Sequence, residues 1–361
     1  MKGKLAALVG PRQIEIMEFE LPKPEKGALL ARVLRSNLCG SELHIWNWTH
    51  PIIKNAVMGH EMVGEIYELG EGVDSDYDAQ PVKVGDRIVA PYYVTCRKCA
   101  ACARGDFNLC QNAYRLWSQP PEKAPHFTGT FATHYYIQAD QYFYKVPDAL
   151  PSDIVAGANC GMSQVVYGIE KAGLTNGETI LIQGAGGLGL YATAVAKEKG
   201  ARVIVVDAIS QRLDMASDFG ADHLIDVSGR ASQETIEEVV KLTGGAGADV
   251  VLEVAGVPEA FSEALEMVRV AGRIISIGNV SIGEGHEISI APGLITRKCA
   301  HVIGVVRYDP WYLKKALDFL DRTHTHVDYK KMSATEFSLE EVNEALLAAE
   351  ARSVVRPVIV P

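Results

Sequence analysis

The spacing of hydrophobic and polar positions along the chain changes near residue 160. Up to about residue 155, short apolar segments such as 28–34, 63–69 and 86–94 are separated by glycine, proline and other turn residues. This pattern is typical of antiparallel strands. The first part of the chain therefore predicts a mainly antiparallel, barrel-like domain.

Beyond residue 160, apolar runs of strand length alternate with segments of helical periodicity. The predicted strands are 178–184, 201–208, 221–227, 247–256 and 273–279, and the predicted helices are 188–200, 211–220, 234–244 and 259–272. Repeated strand–helix units favour a doubly wound α/β fold with a parallel sheet. Two more predicted helices, 309–320 and 338–351, precede a last strand at 354–360, and we expect this tail to return to the first domain.

Composition narrows the class of protein. The chain has 361 residues, enough for two domains, and its 48% hydrophobic and 22% charged content is typical of a globular protein. The formal net charge of -10 argues against nucleic acid as a partner. The N-terminal apolar run is too short for a secretory signal, and no stretch of about twenty apolar residues predicts a membrane span. We therefore expect a cytoplasmic protein with no membrane partner.

A glycine-rich segment joins the strand at 178–184 to the helix that follows. It matches the dinucleotide-binding pattern, in which glycines let the backbone turn tightly and approach a pyrophosphate at a helix N-terminus. The candidate cofactor-binding residues here are Gly184, Gly186, Gly187, Leu188 and Gly189.

Asp207 ends the next predicted strand. A carboxylate there accepts hydrogen bonds from the adenosine ribose and repels a 2′-phosphate, and residues 208–210 include no arginine for such a phosphate. The sequence therefore predicts NAD rather than NADP. Alternatively, Asp207 only caps the helix that follows.

Four of the seven cysteines lie within fifteen residues, at Cys96, Cys99, Cys102 and Cys110. Four thiolates on short loops can surround one tetrahedral ion and leave no open position, which predicts a structural zinc in a lobe at about 94–112. The alternative is a set of redox-active or incidental thiols.

Cys39, His60 and Cys160 are three further candidates for metal binding. A lone cysteine is usually a small core residue, and a lone histidine is usually a hydrogen-bonded one. Together with a dinucleotide loop they become candidate ligands of a catalytic zinc, because zinc with three protein ligands and one open position lowers the pKa of an alcohol. Cys299 has no partner in either set and is expected to be a buried small hydrophobe.

Over its whole length the chain resembles the medium-chain dehydrogenase/reductase family, and within it the zinc alcohol dehydrogenases. The resemblance lies in C-G-S-E-L-H (39–44), G-H-E-M-V-G (59–64), the four cysteines, the glycine loop with its acidic partner, and V-V-R-P-V (354–358). It implies a GroES-like, mainly-β catalytic domain (1–158), a Rossmann domain with a doubly wound parallel sheet (159–304), and a tail (305–361) that rejoins the first domain. It also implies two zinc ions (Zn2+) per chain, NAD, a small alcohol or carbonyl substrate, and a homodimer or homotetramer.

By position in these motifs, the resemblance makes Cys39, His60 and Cys160 the ligands of a catalytic zinc. Glu61 is implied to be the acidic neighbour of that site, and Glu42 to orient a ligand in place of the aspartate that many members carry.

The resemblance also implies a proton relay from the alcohol to Ser41, through the cofactor ribose, to His44. The alternative role for Ser41 is a helix N-cap. Arg356 is implied to hold the pyrophosphate, with Gly40 standing where some members carry a second arginine. Val254, Ile277 and Gly278 are implied to line the nicotinamide and ribose.

Four aromatic residues near motif positions, Trp46, Trp48, Tyr92 and Phe131, favour a secondary or cyclic apolar alcohol as substrate. An alternative is a polyol, butanediol or threonine dehydrogenase of the same family, although Cys160 as third ligand fits alcohol dehydrogenases better than polyol dehydrogenases, where a glutamate often serves. A zinc-binding interaction protein and a zinc-free quinone reductase are two further alternatives.

Overall fold

The computed structural model describes residues 1–283 and 285–361. The chain forms two compact units. Unit 1 contains Met1–Ser163 and Arg307–Pro361, and unit 2 contains Gln164–Val306. The sequence placed the corresponding boundaries at 158/159 and 304/305.

The N-terminal part of unit 1 is built from strands and three short helices. These are β1 (Lys2–Gly10), β2 (Gln13–Glu20), β3 (Leu29–Asn37), α1 (Gly40–Trp46), β4 (Glu61–Leu69), β5 (Arg87–Val89), α2 (Ala100–Ala103), β6 (His134–Ile137), β7 (Tyr144–Lys145) and α3 (Ser152–Val155).

β3 organises this part, because it pairs antiparallel with both β4 and β6. Its inward side chains Leu29, Ala31 and Val33 pack on Met62 and Ile66 of β4, all of them buried. Leu30, which points to the opposite face, packs with Leu5 and Ala7 of β1, so the start of β3 is buried on both faces and joins two apolar clusters of unit 1.

Unit 2 alternates strands and helices, as the sequence predicted for residues 178–279. The elements are α4 (Ser163–Lys171, which starts at the last residue of unit 1), β8 (Thr179–Gln183), α5 (Gly187–Glu198), β9 (Arg202–Asp207), α6 (Ser210–Asp218), β10 (His223–Asp226), α7 (Ser232–Leu242), β11 (Ala248–Glu253), α8 (Pro258–Met267), β12 (Val268–Ser276), α9 (Pro292–Lys298) and β13 (His301–Gly304).

These strands form a parallel sheet in the order β10-β9-β8-β11-β12-β13. This is the doubly wound arrangement, and the strand order reverses between β8 and β11. The register aligns Gln183 of β8 with Val206 of β9 and with Glu253 of β11. The carboxyl ends of these strands, where such folds bind their ligands, therefore meet at one edge.

The C-terminal part of unit 1 consists of α10 (Tyr312–Thr323), β14 (Glu336–Ser338), α11 (Val342–Glu350) and β15 (Val358–Val360). β15 pairs antiparallel with β3, with Val358 opposite Asn37. The last strand of the chain therefore lies beside the strand that leads into Cys39.

One predicted helix was too long. The sequence placed a helix over 259–272, but α8 ends at Met267 and Val268 already begins β12. The β-branched Val268 and Val270 favour the extended backbone that Val268 adopts, with φ −73° and ψ 140°. Across residues 1–283 and 285–361, every helix is too short or too polar to cross a bilayer.

Candidate active site and metal centres

Side chains from three elements of unit 1 converge on one buried point. Cys39 is the N-cap residue of α1, His60 and Glu61 stand at the start of β4, and Cys160 lies in a π turn over Ala158–Met162. The ligand atoms of all four residues lie within 4.8 Å of one another, and all four are buried. The three predicted ligands and their predicted acidic neighbour are thus brought together.

Gly59 explains how the chain presents His60. Its φ is +85°, and a Cβ there would overlap the backbone and ring of Phe131. A side chain at this position would therefore be excluded both by the backbone conformation and by the lack of space.

Glu42 holds two of these residues in place. Its Oε2 accepts a hydrogen bond from the Cys39 backbone N–H at 2.8 Å, and its Oε1 is bonded to Nδ1 of His60. The other ring nitrogen, Nε2, lies 3.2 Å from the sulfur of Cys160. A carboxylate that fixes a histidine ring in this way is the usual partner of a metal-bound imidazole.

The two buried thiols of Cys39 and Cys160 shift each other's pKa in opposite directions. Their hydrogen bond lowers the pKa of Cys39, against the effect of burial, and raises the pKa of Cys160. A divalent cation would stabilise both as thiolates. Two sulfurs and an imidazole nitrogen are the donors that zinc prefers, so these residues fit a zinc ion.

Glu61 is a buried carboxylate with one oxygen paired and one not. Nη2 of Arg356 donates to Oε1, while Oε2 has no hydrogen-bond partner among the residues described. Burial raises the pKa of Glu61 to about 8, although the charge of Arg356 lowers it. A buried oxygen without a donor is costly, and a cation beside it would relieve that cost. The predicted contact of Arg356 with a pyrophosphate stays a prediction.

The four clustered cysteines form a second set, with all four sulfurs within 4.8 Å of one another. Cys99 is the N-cap residue of α2. The sulfur of Cys96 accepts a hydrogen bond from Nδ2 of Asn112 at 3.2 Å, and that of Cys110 accepts one from the Cys96 N–H at 3.3 Å. The backbone N–H of Lys98, followed by Asn112, lowers the pKa of Cys96 to about 6. These donors favour the thiolate of Cys96, whereas burial raises the pKa of Cys102 and Cys110. Four sulfurs this close together fit a tetrahedral structural zinc.

Ser41 and His44 both lie in α1 and are partly exposed. Because Cys39 occupies the N-cap position, the alternative role of Ser41 as N-cap is wrong. Their predicted relay stays a prediction.

Aromatic rings surround His60. The ring centroid of Tyr92 lies 4.7 Å from that of His60, and Trp117, which the sequence analysis did not select, lies at 5.3 Å. Trp117 has no motif signal, since it follows the cysteine lobe in an irregular segment.

The other three predicted aromatic residues have different surroundings. Trp46 is buried under the guanidinium of Arg12, 3.8 Å from the ring centroid, and Phe131 is fully buried. Trp48 is half-buried, with the ammonium of Lys54 5.7 Å from its ring centroid.

In unit 2, the glycine loop follows β8 and opens α5. A Cβ at Gly189 would overlap the carbonyl oxygen of Gly184, so the helix can pack this closely only with glycine there. At Gly186 a Cβ would meet only Nη1 of Arg212, at 3.9 Å, which leaves the backbone open to a ligand. Gly187 and Leu188 form the first turn of α5. These are the separate roles that dinucleotide-binding glycines have.

Asp207 is hydrogen-bonded to that loop. Its Oδ2 accepts from the N–H of Ala185 at 2.6 Å, and its Oδ1 accepts from the N–H of Ile209 at 2.9 Å. The N-cap position of α6 belongs to Ile209, so Asp207 does not cap the helix in that sense. Each carboxylate oxygen has a further lone pair with which to accept from a ribose hydroxyl.

Glu253 is a functional candidate that the sequence analysis missed. This fully buried carboxylate accepts hydrogen bonds from the N–H groups of Gly256 and Asn279, at 2.9 and 3.2 Å, and from the Ser276 hydroxyl at 3.3 Å. It thereby joins the two segments that carry Val254, Ile277 and Gly278. Within an apolar strand it gave no signal except its charge.

Comparison with known proteins identifies the family. Residues 25–148 match the alcohol dehydrogenase GroES-like domain, and residues 187–322 match the zinc-binding dehydrogenase domain. L-threonine 3-dehydrogenase of Pyrococcus horikoshii is 35% identical over 77% of this chain and 77% of its own. Sorbitol dehydrogenase of Bacillus subtilis is 31% identical over 95% and 92%. The chain belongs to the zinc-type medium-chain alcohol dehydrogenase family.

Other members of the family extend the comparison. 5-exo-Hydroxycamphor dehydrogenase of Pseudomonas putida is 29% identical over 99% of this chain and 98% of its own. The crystal structure of an alcohol dehydrogenase from Thermotoga maritima superposes with a TM-score of 0.93 at 26% identity, covering 100% of both chains. As a member of this family, the dehydrogenase is an oxidoreductase that uses zinc and a nicotinamide cofactor.

Proposed function

We propose that this dehydrogenase binds two zinc ions and transfers a hydride from a secondary or cyclic alcohol to NAD+. The observation that carries the proposal is the convergence of Cys39, His60 and Cys160 on one buried point beside Glu61. These three residues hold the catalytic zinc, and Cys96, Cys99, Cys102 and Cys110 hold the structural one.

The residues of the site divide the chemistry among them. When bound, the catalytic zinc polarises the alcohol and NAD+ accepts the hydride. Glu42 keeps the His60 ring oriented, and Glu61 supplies a carboxylate oxygen beside the ligands. Ser41 would accept the alcohol proton at Oγ while it releases its own hydroxyl proton toward His44, one helical turn further, and the His44 imidazole would pass a proton on to solvent.

NAD rather than NADP follows from Asp207. Its carboxylate, held by the N–H groups of Ala185 and Ile209, accepts from a ribose hydroxyl and repels a 2′-phosphate. Gly184, Gly186 and Gly189 shape the loop for the pyrophosphate, Arg356 supplies a positive charge, and Val254, Ile277 and Gly278 line the nicotinamide side.

The rings of Tyr92 and Trp117 beside His60 favour an apolar alcohol as substrate. A second candidate, a polyol or threonine dehydrogenase, is favoured by the names of the relatives at 35% and 31% identity. A panel of cyclohexanol, sorbitol, 2,3-butanediol and threonine, followed at the NADH absorbance, separates the two. The cytoplasmic location and the homodimer or homotetramer stay predictions of the sequence, and gel filtration tests the latter.

Metal analysis combined with turnover tests the proposal. The purified protein should contain two zincs per chain, and Cys39→Ala should lose one zinc and all turnover while it keeps its fold by circular dichroism. Turnover retained in Cys39→Ala would refute the assignment of the catalytic site.

A further inference from the structure

The turn that carries Cys160 depends on contacts from outside itself. Ala158–Met162 is a π turn, and the N–H of Met162 bonds to the carbonyl of Gly157 at 3.3 Å. Such turns are rare inside helices and occur frequently at functional sites. The neighbours of this turn therefore help to decide where the sulfur of Cys160 lies.

Asn159 connects the turn to a second zinc ligand. Its side chain is 1% exposed, and its Nδ2 donates to the backbone carbonyls of His60, at 2.9 Å, and of Ala90, at 2.8 Å. The residue before Cys160 is thus bonded to the backbone of His60. One amide group fixes the distance between two ligand-bearing segments.

Tyr308 holds Asn159 from the other side. It is fully buried, and its hydroxyl donates to the carbonyl of Asn159. The hydroxyl of Tyr93 in turn donates to the carbonyl of Tyr308. Tyr308 is therefore fixed through its backbone as well as through its side chain.

The neighbours of Tyr308 attach it to the four-cysteine lobe. Nε of Arg307 donates to the carbonyl of Asn108 at 2.6 Å, and the N–H of Asn108 donates to Oδ1 of Asp309 at 3.3 Å. Asn108 lies two residues before Cys110. Residues 307–309 therefore connect the lobe of one proposed zinc to the turn that carries a ligand of the other.

We propose that Tyr308 and Asn159 are positioning residues that hold the Cys160 turn against the His60 carbonyl. This proposal rests on the proposed function, since it takes Cys39, His60 and Cys160 as zinc ligands. Loss of the Tyr308 hydroxyl leaves a buried carbonyl without its donor, and the turn relaxes. Outer partners of this kind contribute about 10–100-fold to metal affinity.

The test measures zinc affinity by chelator competition in the full-length protein, with zinc per chain read by metal analysis. The variants are Tyr308→Phe, which removes only a hydroxyl, and Asn159→Ala. Tyr135→Phe is the matched control, because it removes a buried hydroxyl that accepts from Gln141 at 2.8 Å without a bond to a ligand segment. We expect Tyr308→Phe and Asn159→Ala to lower the affinity for the zinc at Cys39, His60 and Cys160 by about 10–100-fold and to leave the affinity for the zinc at the four-cysteine lobe unchanged. Tyr135→Phe should behave as wild type.

Two results would overturn the inference while the proposed function stands. Either both zincs keep wild-type affinity in Tyr308→Phe and Asn159→Ala, or both zincs weaken equally, which indicates general destabilisation. A wild-type protein with fewer than two zincs, or a Cys39→Ala variant that keeps both, would instead refute the proposed function and this inference with it.

Discussion

Three buried glutamates each have a different set of hydrogen-bond partners. Glu42 is bonded to His60 and the Cys39 N–H, Glu61 to Arg356, and Glu253 to backbone N–H groups of unit 2. A buried charge costs several kcal/mol unless it is paired or hydrogen-bonded. Each pairing fixes a segment that carries a predicted site residue.

Replacing the Glu42 carboxylate tests the first of these at the scale of one residue. Glu42→Gln keeps the shape but removes the charge that orients His60, and we expect zinc affinity at this site to fall by about 10–100-fold. Chelator competition measures it. Glu65→Gln is the control, because Glu65 lies in β4, the strand that directly follows His60, and its partly exposed pair with Arg32 contributes at most about 1 kcal/mol. Equal zinc affinity in both variants would mean that Glu42 does not orient the ligand.

Cofactor choice is a second property of a single residue. In Asp207→Ser the ribose loses a charged hydrogen-bond partner, worth about 1.5–3 kcal/mol, so kcat/KM with NAD should fall by about 10–100-fold. The value with NADP should fall less or rise, because the repulsion of the 2′-phosphate is gone. Initial rates with both cofactors measure this, and an unchanged NAD to NADP ratio would contradict the assignment.

At the scale of elements, the junction between β8 and α5 separates two effects of glycine. Gly189→Ala forces a Cβ into the carbonyl of Gly184 and should destabilise the fold by about 3 kcal/mol or more. Gly186→Ala has room in the folded protein and should unfold as wild type does, yet bind NADH at least about tenfold more weakly, since its methyl group occupies the approach of the pyrophosphate. Denaturant unfolding and NADH fluorescence measure the two. If Gly186→Ala were destabilised and still bound NADH as wild type does, the role assigned to Gly186 would be wrong.

The four-cysteine lobe consists of short elements, α2 and the loops around it. We therefore expect a bound metal to supply much of its stability. Cys102→Ala should therefore lose one zinc and lower the free energy of unfolding by about 4 kcal/mol or more. Thermal unfolding with metal analysis measures both, and full stability without the zinc would contradict a structural role.

Elements also show what the sequence could predict. Strand and helix alternation in unit 2 was predictable because period and length agree there. The convergence of Cys39, His60 and Cys160 was predictable from motif positions, while their role as metal ligands stays a prediction. The start of β12 at Val268 was not predictable, because apolar residues keep a helical spacing over 259–272. Only the pairing of β12 with β11 shows that the helix ends at Met267. The short β13 lies in a brief apolar run at 302–306 that a glycine interrupts, and it was not predicted. Asn159 and Tyr308 stand 149 residues apart with nothing in either neighbourhood to connect them.

At the scale of the whole molecule, the chain crosses between its units twice. It leaves unit 1 after Ser163 and returns at Arg307, so the crossings lie beside Cys160 and Tyr308 in sequence. Unit 1 carries both sets of proposed metal ligands, and unit 2 carries the glycine loop and Asp207.

Because of this division, we expect loss of the metal in unit 1 to leave cofactor binding in unit 2 nearly unchanged. In Cys39→Ala, turnover should vanish while NADH affinity stays within about threefold of wild type, a difference below about 0.7 kcal/mol. Fluorescence titration with NADH measures this. A large loss of NADH affinity would mean that the metal site is needed for the cofactor site to form.

Anomalous scattering at the zinc edge, from crystals of the zinc-loaded protein, tests the central claim most directly. The account predicts two peaks, one of them about 2.3 Å from the sulfurs of Cys39 and Cys160 and about 2.1 Å from Nε2 of His60. A map with a peak at the four-cysteine lobe but none between these three side chains would contradict it.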